Sequence, residues 1–258
     1  MFEFSDYQIT QFVGQYIWPL VRITAFLLAA PIFGTKILST RIRLVFGVVL
    51  SLLVVPLLPP LPPFDGVSFF SLYTTLQQVL IGVSLGFVFQ VVFQVFVLAG
   101  QYIAMKMGLG FASMNDPANG VSVTVISQFY LLTTTLLFLS INGHLALVQV
   151  LVDSFTILPI GTQGFSGVDF DAITKMGGWM FGSALTISLP VLTALLVVNI
   201  AFGIMSRSAP QINIFAVGFP ITLIFGLLIM WLGFPVFLPL FQEFVNQGFI
   251  FGQQLLEP

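Results

Sequence analysis

Residues 105–120 read MKMGLGFASMNDPANG and separate two long apolar stretches of the chain. Glycines open the segment, Asp116 precedes Pro117, and an Asn-Gly pair ends it. The residue before a proline is disfavoured in the α-helical region, and Asn-Gly favours a turn. The segment is therefore predicted to be a loop between stretches that are typical of membrane helices.

The composition excludes a soluble domain. Of the 258 residues, 58% are hydrophobic and only 6% are charged, whereas a soluble domain carries about 25% charged residues. The net charge of −2 provides no basic footprint for nucleic acid, so a nucleic-acid partner is not expected. Lipid is the expected surrounding of most of the chain.

Six hydrophobic blocks predict an all-α, polytopic membrane protein, because the alternating pattern of a membrane barrel is missing. Most blocks reach the roughly 20 residues that span a bilayer core. The third and fourth are longer, which indicates tilt or an extension beyond the bilayer. Pro190 is expected to kink the fifth helix, and Pro220 and Pro235 are expected to interrupt the sixth. The blocks cover residues 12–33, 44–61, 72–104, 121–152, 176–205 and 214–241.

The basic residues predict an orientation. If the blocks alternate across the membrane, five of the seven basic residues fall on one side, and the positive-inside rule makes that side cytoplasmic. Both termini are then predicted to lie outside the cytoplasm. These five residues are Lys36, Arg41, Arg43, Lys106 and Arg207.

Arg22 lies in the middle of the first block, where a charge costs at least about 2.5–3.5 kcal/mol on insertion scales. One interpretation is that Arg22 lines a pore or pairs with a partner. The other is that it lies in a protein interior, or that its side chain extends to the membrane–water interface. Gln90, Gln94 and Gln101 fall within about 40° of one another on one helix face. This face predicts either a helix-packing seam or a hydrated lumen.

No catalytic or metal-binding pattern is recognisable. His144 is the only histidine and the chain has no cysteine, so a zinc site would need carboxylates alone, and a structural role for His144 is the better interpretation. No phosphate-binding or dinucleotide motif is found. The sequence therefore predicts neither an enzyme nor a cofactor.

Four stretches resemble one family. They are residues 22–47 (RITAFLLAAPIFGTKILSTRIRLVFG), 108–120 with the following SQF at 127–129, 137–159 (LFLSINGHLALVQVLVDSFTILP), and 207–220 (RSAPQINIFAVGFP). Their order and spacing cover nearly the whole chain. The chain resembles the FliR/SctT/SpaR family, whose members are subunits of the export gate in flagellar and virulence type III secretion systems.

The resemblance implies a single-copy gate subunit of the bacterial inner membrane in the flagellar basal body. Residues 1–258 would form one membrane domain, in which 1–160 is FliP-like and 170–258 is a FliQ-like helical hairpin. The partners would be FliP-like and FliQ-like subunits, an FlhB-like subunit on the cytoplasmic side, and unfolded proteins passing through the pore. Family gates stand partly above the membrane, so some helices would be covered by neighbouring subunits.

The resemblance also assigns roles to residues. The loop at 105–120 would enter the lumen as a plug, and the loop between the last two helices would face the FlhB-like subunit. Arg22, Gln90, Gln94 and Gln101 would serve helix packing or the lumen. The plug residues are Gly108, Gly110, Phe111, Ala112, Ser113, Met114, Asp116 and Pro117. The partner-contact residues are Arg207, Ala209, Pro210, Gln211 and Asn213.

The sequence thus favours a structural and gating subunit of a protein-export channel. The soft side chains of Met105, Met107, Phe111 and Met114 would help to close the lumen. A secondary transporter of small solutes is the main alternative, since broken helices with Gly and Pro also suit a midplane site. An intramembrane enzyme using Asp116 with His144 is the weakest hypothesis, because the two residues belong to no motif.

Overall fold

A computed structural model of the chain describes residues 6–35, 38–59, 61–62, 64, 66, 68–110, 124–161, 170–208 and 214–256. Seven α-helices lie wholly within these ranges, and a single 3₁₀ turn (Val55–Leu57) follows the second helix. No strand occurs among the described residues. The helices are α1 (Asp6–Ala29), α2 (Thr40–Val54), α3 (Phe69–Lys106), α4 (Val125–Ser140), α5 (Gly143–Ile157), α6 (Phe170–Ser208) and α7 (Ile214–Leu256).

The prediction of an all-α, polytopic membrane protein is confirmed. Five helical stretches of the described part are long and apolar enough to cross a bilayer: α1, α2 together with the 3₁₀ turn that follows it, α3, α6 and α7. A sixth span results if α4 and α5 are counted as one bent span. The lengths of α3, α6 and α7 are 38, 39 and 43 residues, and each exceeds the roughly 20 residues of a single span.

The fourth hydrophobic block is not one over-long helix. It divides into α4 and α5, which are bent by 71° at a short break. Asn142 adopts a left-handed conformation with φ of 57°, which asparagine tolerates better than most residues. A Cβ at Gly143 would lie 2.6 Å from the ring of Phe138, so the ring needs a glycine there. The break lies at Asn142-Gly143, a dipeptide that favours a turn.

The prolines do not interrupt the sixth block, contrary to the expectation for Pro220 and Pro235. The α7 helix continues through both of them and through Pro239, and α6 continues through Pro190. A proline removes one backbone hydrogen bond. In an apolar surrounding every other backbone group still requires an internal partner, so the helix continues around the proline.

The chain forms two compact units. The first contains residues 1–91, 138–176 and 247–258, and the second contains residues 92–137 and 177–246. The helices α3 and α7 contribute residues to both units. The predicted division into a FliP-like part (1–160) and a FliQ-like hairpin (170–258) concerns likeness to other subunits rather than compactness, and it stays a prediction.

In the first unit, α1 and α3 are in contact through two glycines. A Cβ at Gly86 would lie 2.7 Å from the Cβ of Ala29 and 2.8 Å from the backbone nitrogen of Ala30. A Cβ at Gly82 would meet the carbonyl oxygen of Arg22 and lie 2.9 Å from the Cβ of Ala25. Small residues of this kind let helix backbones approach closely.

The first unit also fixes the proline-rich connector that follows α2. The indole Nε1 of Trp18 donates a hydrogen bond of 3.2 Å to the carbonyl oxygen of Pro62. The Trp18 ring also packs on the ring of Phe64, with centroids 5.4 Å apart. Trp18 is fully buried, so α1 holds this end of the connector in place.

In the second unit, Phe96 of α3 is the centre of an aromatic cluster. Its ring centroid lies 5.3 Å from that of Phe237 and 6.0 Å from those of Phe241 and Phe244, all on α7. Phe96 is fully buried. Tilted ring pairs at these separations add about 0.5–1.5 kcal/mol each beyond the burial of apolar area. The thirty phenylalanines thus include a packed core as well as exposed surface.

A pair of glycine substitutions tests the α1–α3 contact. Gly86→Ala is expected to lower stability by about 1–3 kcal/mol, because the added methyl group meets backbone atoms. Gly178→Ala, in α6, has open space around its Cβ position and is expected to raise stability by roughly 0.5–1 kcal/mol through helix propensity. Thermal unfolding in mild detergent, followed by tryptophan fluorescence, measures both. Shifts of the same sign would contradict the packing assignment.

Candidate functional site

Arg22 is fully buried in the first unit and binds the end of another helix. Its Nη1 donates to the carbonyl oxygen of Ser154 (2.8 Å) and to the Ser154 Oγ (3.2 Å), and its Nη2 donates to the carbonyl oxygen of Leu158 (2.8 Å). The last carbonyl groups of a helix lack partners within the helix and carry partial negative charge. Arg22 therefore caps the C-terminal end of α5.

Two further contacts complete the Arg22 network. The Nε of Arg22 donates a 2.7 Å hydrogen bond to Oε1 of Gln78 on α3. The guanidinium carbon lies 4.4 Å from the ring centroid of Phe155, a cation–π distance. Within the part of the chain that the structure describes, no carboxylate forms a salt bridge with this guanidinium. Carbonyl, amide, hydroxyl and aromatic groups compensate its charge instead.

The structure thus places Arg22 in a protein interior, which was one of the two interpretations of the sequence. Its partners Gln78 and Ser154 were not identified from the sequence. The sequence signal for this network is limited to one polar side chain in or near each of three apolar stretches. Nothing in one sequence pairs such residues when they are 56 and 132 positions apart.

The glutamine face of α3 is not buried within the chain. Gln90 is exposed, and Gln94 and Gln101 are partly exposed. The glycines at 82 and 86 pack against α1, as described above, but these glutamines add no polar contact to that seam. Their role in packing against a neighbour or facing a lumen stays a prediction.

The segment predicted to form the plug begins at a well-defined helix end. The amide of Gly108 donates to the carbonyl of Met105 (3.1 Å), and the amide of Leu109 donates to the carbonyl of Ala104 (2.9 Å). Gly108 has φ of 85°. These two bonds around a left-handed glycine form a Schellman motif, the usual way in which a helix ends at glycine. The chain therefore leaves α3 at Gly108.

The α7 helix holds this end of α3. A Cβ at Gly108 would lie 3.0 Å from the Phe219 ring, and a Cβ at Gly226 would lie 2.7 Å from the Met107 side chain. Met107 is 1% exposed. It is therefore a packing residue and is unavailable to close a lumen, which corrects the expectation for this methionine. Met105 is 63% exposed.

The chain re-enters the described part at a second well-defined helix end. The amide of Ser127 donates to Oγ1 of Thr124 (3.3 Å), which makes Thr124 the N-cap of α4. The Ser127 Oγ donates to the carbonyl of Val97 on α3 (2.9 Å). A Cβ at Gly100 would lie 2.7 Å from the Cα of Ser127. The start of α4 is therefore fixed closely against α3.

The other predicted site residues divide between the described and undescribed parts of the chain. Gly108 and Gly110 are described, whereas Phe111, Ala112, Ser113, Met114, Asp116 and Pro117 lie outside the described residues. Arg207 is exposed in the last turn of α6, where a cation interacts favourably with the helix dipole. Ala209, Pro210, Gln211 and Asn213 lie outside the described residues.

Among the described residues, no group of three or more His, Cys, Asp or Glu side chains is arranged to hold a metal ion. His144 is partly exposed, and its Nδ1 is buried without a hydrogen-bond partner in the described part of the chain. The geometry at this site consists of helix caps, close glycine contacts and buried polar anchors.

These features define a class: a polytopic helical membrane protein in which the helix ends on either side of residues 111–123 are packed against neighbouring helices. The family model of the bacterial export proteins, family 1, matches residues 13–248. The chain belongs to this family.

Curated relatives cover nearly the whole chain. The flagellar biosynthetic protein FliR of Pectobacterium carotovorum subsp. carotovorum is 38% identical over 250 residues, which is 96% of this chain and 95% of the relative. FliR of Escherichia coli (strain K12) is also 38% identical, over 95% of each chain. FliR of Bacillus subtilis (strain 168) is 28% identical over 80% of each chain. The resemblance stated from the sequence motifs is confirmed.

A double-mutant cycle tests the Arg22 network. Arg22→Met leaves the Leu158 carbonyl and the Gln78 amide oxygen without their donor and removes one of the two donors to the Ser154 carbonyl, and hydrogen bonds to charged groups contribute about 1.5–3 kcal/mol each. The apparent melting temperature is expected to fall by roughly 5–10 °C. Gln78→Leu alone should cost less, and the double variant should cost less than the sum, because the two residues share one interaction.

Arg41→Met is the matched control for the loss of a cation, since Arg41 is exposed at the start of α2. Its melting temperature is expected to stay within a degree or two of the parent. Strict additivity of Arg22→Met and Gln78→Leu would show that their hydrogen bond contributes nothing to stability.

Proposed function

We propose that this chain is a structural and gating subunit of the type III export gate that serves the bacterial flagellum. In this proposal it helps to form a closed pore for unfolded proteins, together with FliP-like and FliQ-like subunits and an FlhB-like subunit on the cytoplasmic side. Membership of the bacterial export family supports an export role. The printed names of the relatives, flagellar biosynthetic protein FliR, support the flagellar system.

The observation that carries the gating role is the anchoring of the segment at residues 111–123. It leaves α3 through the Schellman motif at Gly108 and rejoins the helices at the N-cap Thr124. Both anchors are held by packed neighbours, Phe219 and Met107 at one end and Gly100 and Ser127 at the other. A steric plug needs fixed ends and a central part of glycine and soft apolar residues, and GFASM at 110–114 provides these residues.

The exposed surface of α7 supports a gate that stands partly outside the bilayer. Exposed apolar side chains follow one another from Phe219 to Leu238, a stretch of about 30 Å that matches the hydrocarbon core. Beyond it, Gln242, Glu243 and Asn246 are exposed. The helix then continues to Leu256, so its last turns suit water or protein neighbours better than lipid.

The glutamine face supports the same proposal. Gln90 is exposed, and the adjacent Phe89 packs on Phe249 of α7 with ring centroids 5.0 Å apart, beyond the exposed apolar stretch of α7 that ends at Leu238. An exposed glutamine beyond an apolar surface suits a neighbouring subunit or a hydrated lumen, because an amide in hydrocarbon would lose its hydrogen bonds. We infer that Gln90, Gln94 and Gln101 face other subunits or the export path. The N-out, C-out orientation in the inner membrane belongs to the same proposal.

Deletion of residues 110–114 from the chain in its assembled complex tests the plug. The lumen is then expected to lose its apolar seal, so the membrane should conduct ions when no substrate is exported. The measurement is ion conductance of the complex in a planar bilayer, or loss of membrane potential in cells.

Deletion of residues 162–166 is the matched control, because it removes five residues, one of them a glycine, from the stretch between α5 and α6. This control is expected to leave conductance unchanged while the complex still assembles. A tight membrane after deletion of 110–114, with the complex assembled, would falsify the plug.

Charge reversal tests the predicted partner contact at the cytoplasmic loop. Arg207→Glu is expected to reduce co-purification of the FlhB-like subunit, because an exposed cation at a partner surface sets electrostatic complementarity. The melting temperature should change little, since a charge at a helix end contributes only about 0.3–1 kcal/mol. Arg41→Glu, another exposed cation, provides the comparison. Undiminished co-purification from Arg207→Glu would remove Arg207 from the interface.

A further inference from the structure

The second unit contains an apolar groove between α3 and α6. Its volume is about 580 Å³, and Lys106 is the single charged residue among its described lining residues. Phe181 and Leu185 are exposed along it. The groove is large enough for a chain of methylene groups, since small-molecule sites in proteins measure about 300–1,000 Å³. The described lining residues are Tyr102, Met105, Lys106, Phe181, Gly182, Leu185 and Leu192.

A second pocket of about 380 Å³ adjoins the groove at Lys106, which lines both. It differs in chemistry, because Asn199, Ser206 and Thr222 give it polar groups. The Ser206 hydroxyl donates to the carbonyl of Gly203 (2.7 Å), so its oxygen can still accept or share a hydrogen bond. The described lining of this pocket also contains the aromatic side chains of Phe202 and Phe219.

The positive charge of Lys106, which lines both cavities, favours the binding of an anion where the groove meets the pocket. Lys106 forms no salt bridge within the described part of the chain, and no acidic residue is found among the described residues that line either cavity. Arg207, one residue beyond Ser206, adds a second cation at the same end of α6. Basic pockets between membrane helices at the bilayer surface suit anionic lipid headgroups.

We propose that the groove and the pocket together bind one anionic phospholipid, with its phosphodiester at Lys106 and an acyl chain along α6. The headgroup lies among Lys106, Asn199 and Ser206. The acyl chain lies against Phe181, Leu185 and Leu192. The proposal requires only that the helices lie in a membrane and is independent of the export role.

Two glycines show that both cavities can be filled without disturbing the backbone. A Cβ at Gly203 in the pocket, or at Gly182 in the groove, would have no atom within 4 Å. Gly203→Leu therefore places a side chain in the headgroup pocket without an initial clash. Gly233→Leu is its matched control, because Gly233 is equally open and lies on α7, away from the described lining of both cavities.

Native mass spectrometry of the assembled complex, stripped of lipid and transferred to nanodiscs, tests the site. The probes are dioleoylphosphatidylglycerol and dioleoylphosphatidylcholine, which share acyl chains and differ in net charge. The parent complex is expected to retain phosphatidylglycerol over phosphatidylcholine by about fivefold, the effect of one lysine near a membrane surface. Lys106→Gln should abolish this preference, and Gly203→Leu should reduce retention of phosphatidylglycerol.

Arg41→Gln and Gly233→Leu should retain lipid as the parent does. Equal retention of both lipids by the parent, or equal losses in the control variants, would show annular lipid only and overturn the proposal. Displacement of phosphatidylglycerol by millimolar inorganic phosphate would identify a free-anion site and also overturn it. Retention of neither lipid by the parent would mean that a neighbouring subunit covers the groove, and the proposal would fail.

Discussion

The capping of α5 by Arg22 is the constraint on which the first unit depends. One guanidinium joins three helices: it belongs to α1, it donates a hydrogen bond to the amide oxygen of Gln78 on α3, and it donates to the carbonyl oxygens of Ser154 and Leu158 at the end of α5. An arginine stays charged under any ordinary condition and presents its donors in a fixed fork. The three helices must therefore keep their mutual positions to keep the charge satisfied. The glycine contacts between α1 and α3 occur directly beside this network, so close backbone approach and charge satisfaction reinforce each other.

This arrangement also explains why a charge is tolerated in the middle of an apolar block. The penalty for an isolated charge refers to hydrocarbon, whereas Arg22 meets two carbonyl groups, a hydroxyl, an amide and an aromatic ring. The Ser154 carbonyl also accepts a hydrogen bond from the Leu158 amide (3.0 Å), whereas the Leu158 carbonyl has Arg22 as its donor and would otherwise cost several kcal/mol if left unpaired in an apolar surrounding. The buried guanidinium and the carbonyl groups at the end of α5 thus stabilise one another, and no carboxylate of the described residues takes part.

The sequence predicts the helices and several of their ends, because these features depend on residues that are close together in the chain. Hydrophobic blocks give the helices, the Asn-Gly pair marks the break before His144, and Gly108 marks the end of α3. Contacts between residues far apart in the chain cannot be predicted in the same way. Gln78 and Ser154 carry no sequence signal that pairs them with Arg22, and only the fold brings them together. The prediction that Pro220 and Pro235 interrupt the last helix is wrong for a different reason. Rules derived from water-soluble helices overstate the helix-breaking effect of proline in an apolar surrounding, where the other backbone groups have no water to replace their helical hydrogen bonds. The plug and the FlhB-facing loop came from resemblance to a family, and their central residues lie outside the described part of the chain.

The change in the exposed surface of α7 sets the depth of this helix in the membrane. Sliding α7 outward by one turn would move Val236 and Leu238 from hydrocarbon into water, which costs on the order of 2 kcal/mol or more. Sliding it inward would bring Gln242 and Glu243 toward hydrocarbon, which costs at least as much. At the proposed depth, a shift of α7 by one turn in either direction is therefore unfavourable. In the proposed gate, a passage beside α7 would then open more easily by sideways separation of helices or by movement of the segments between them.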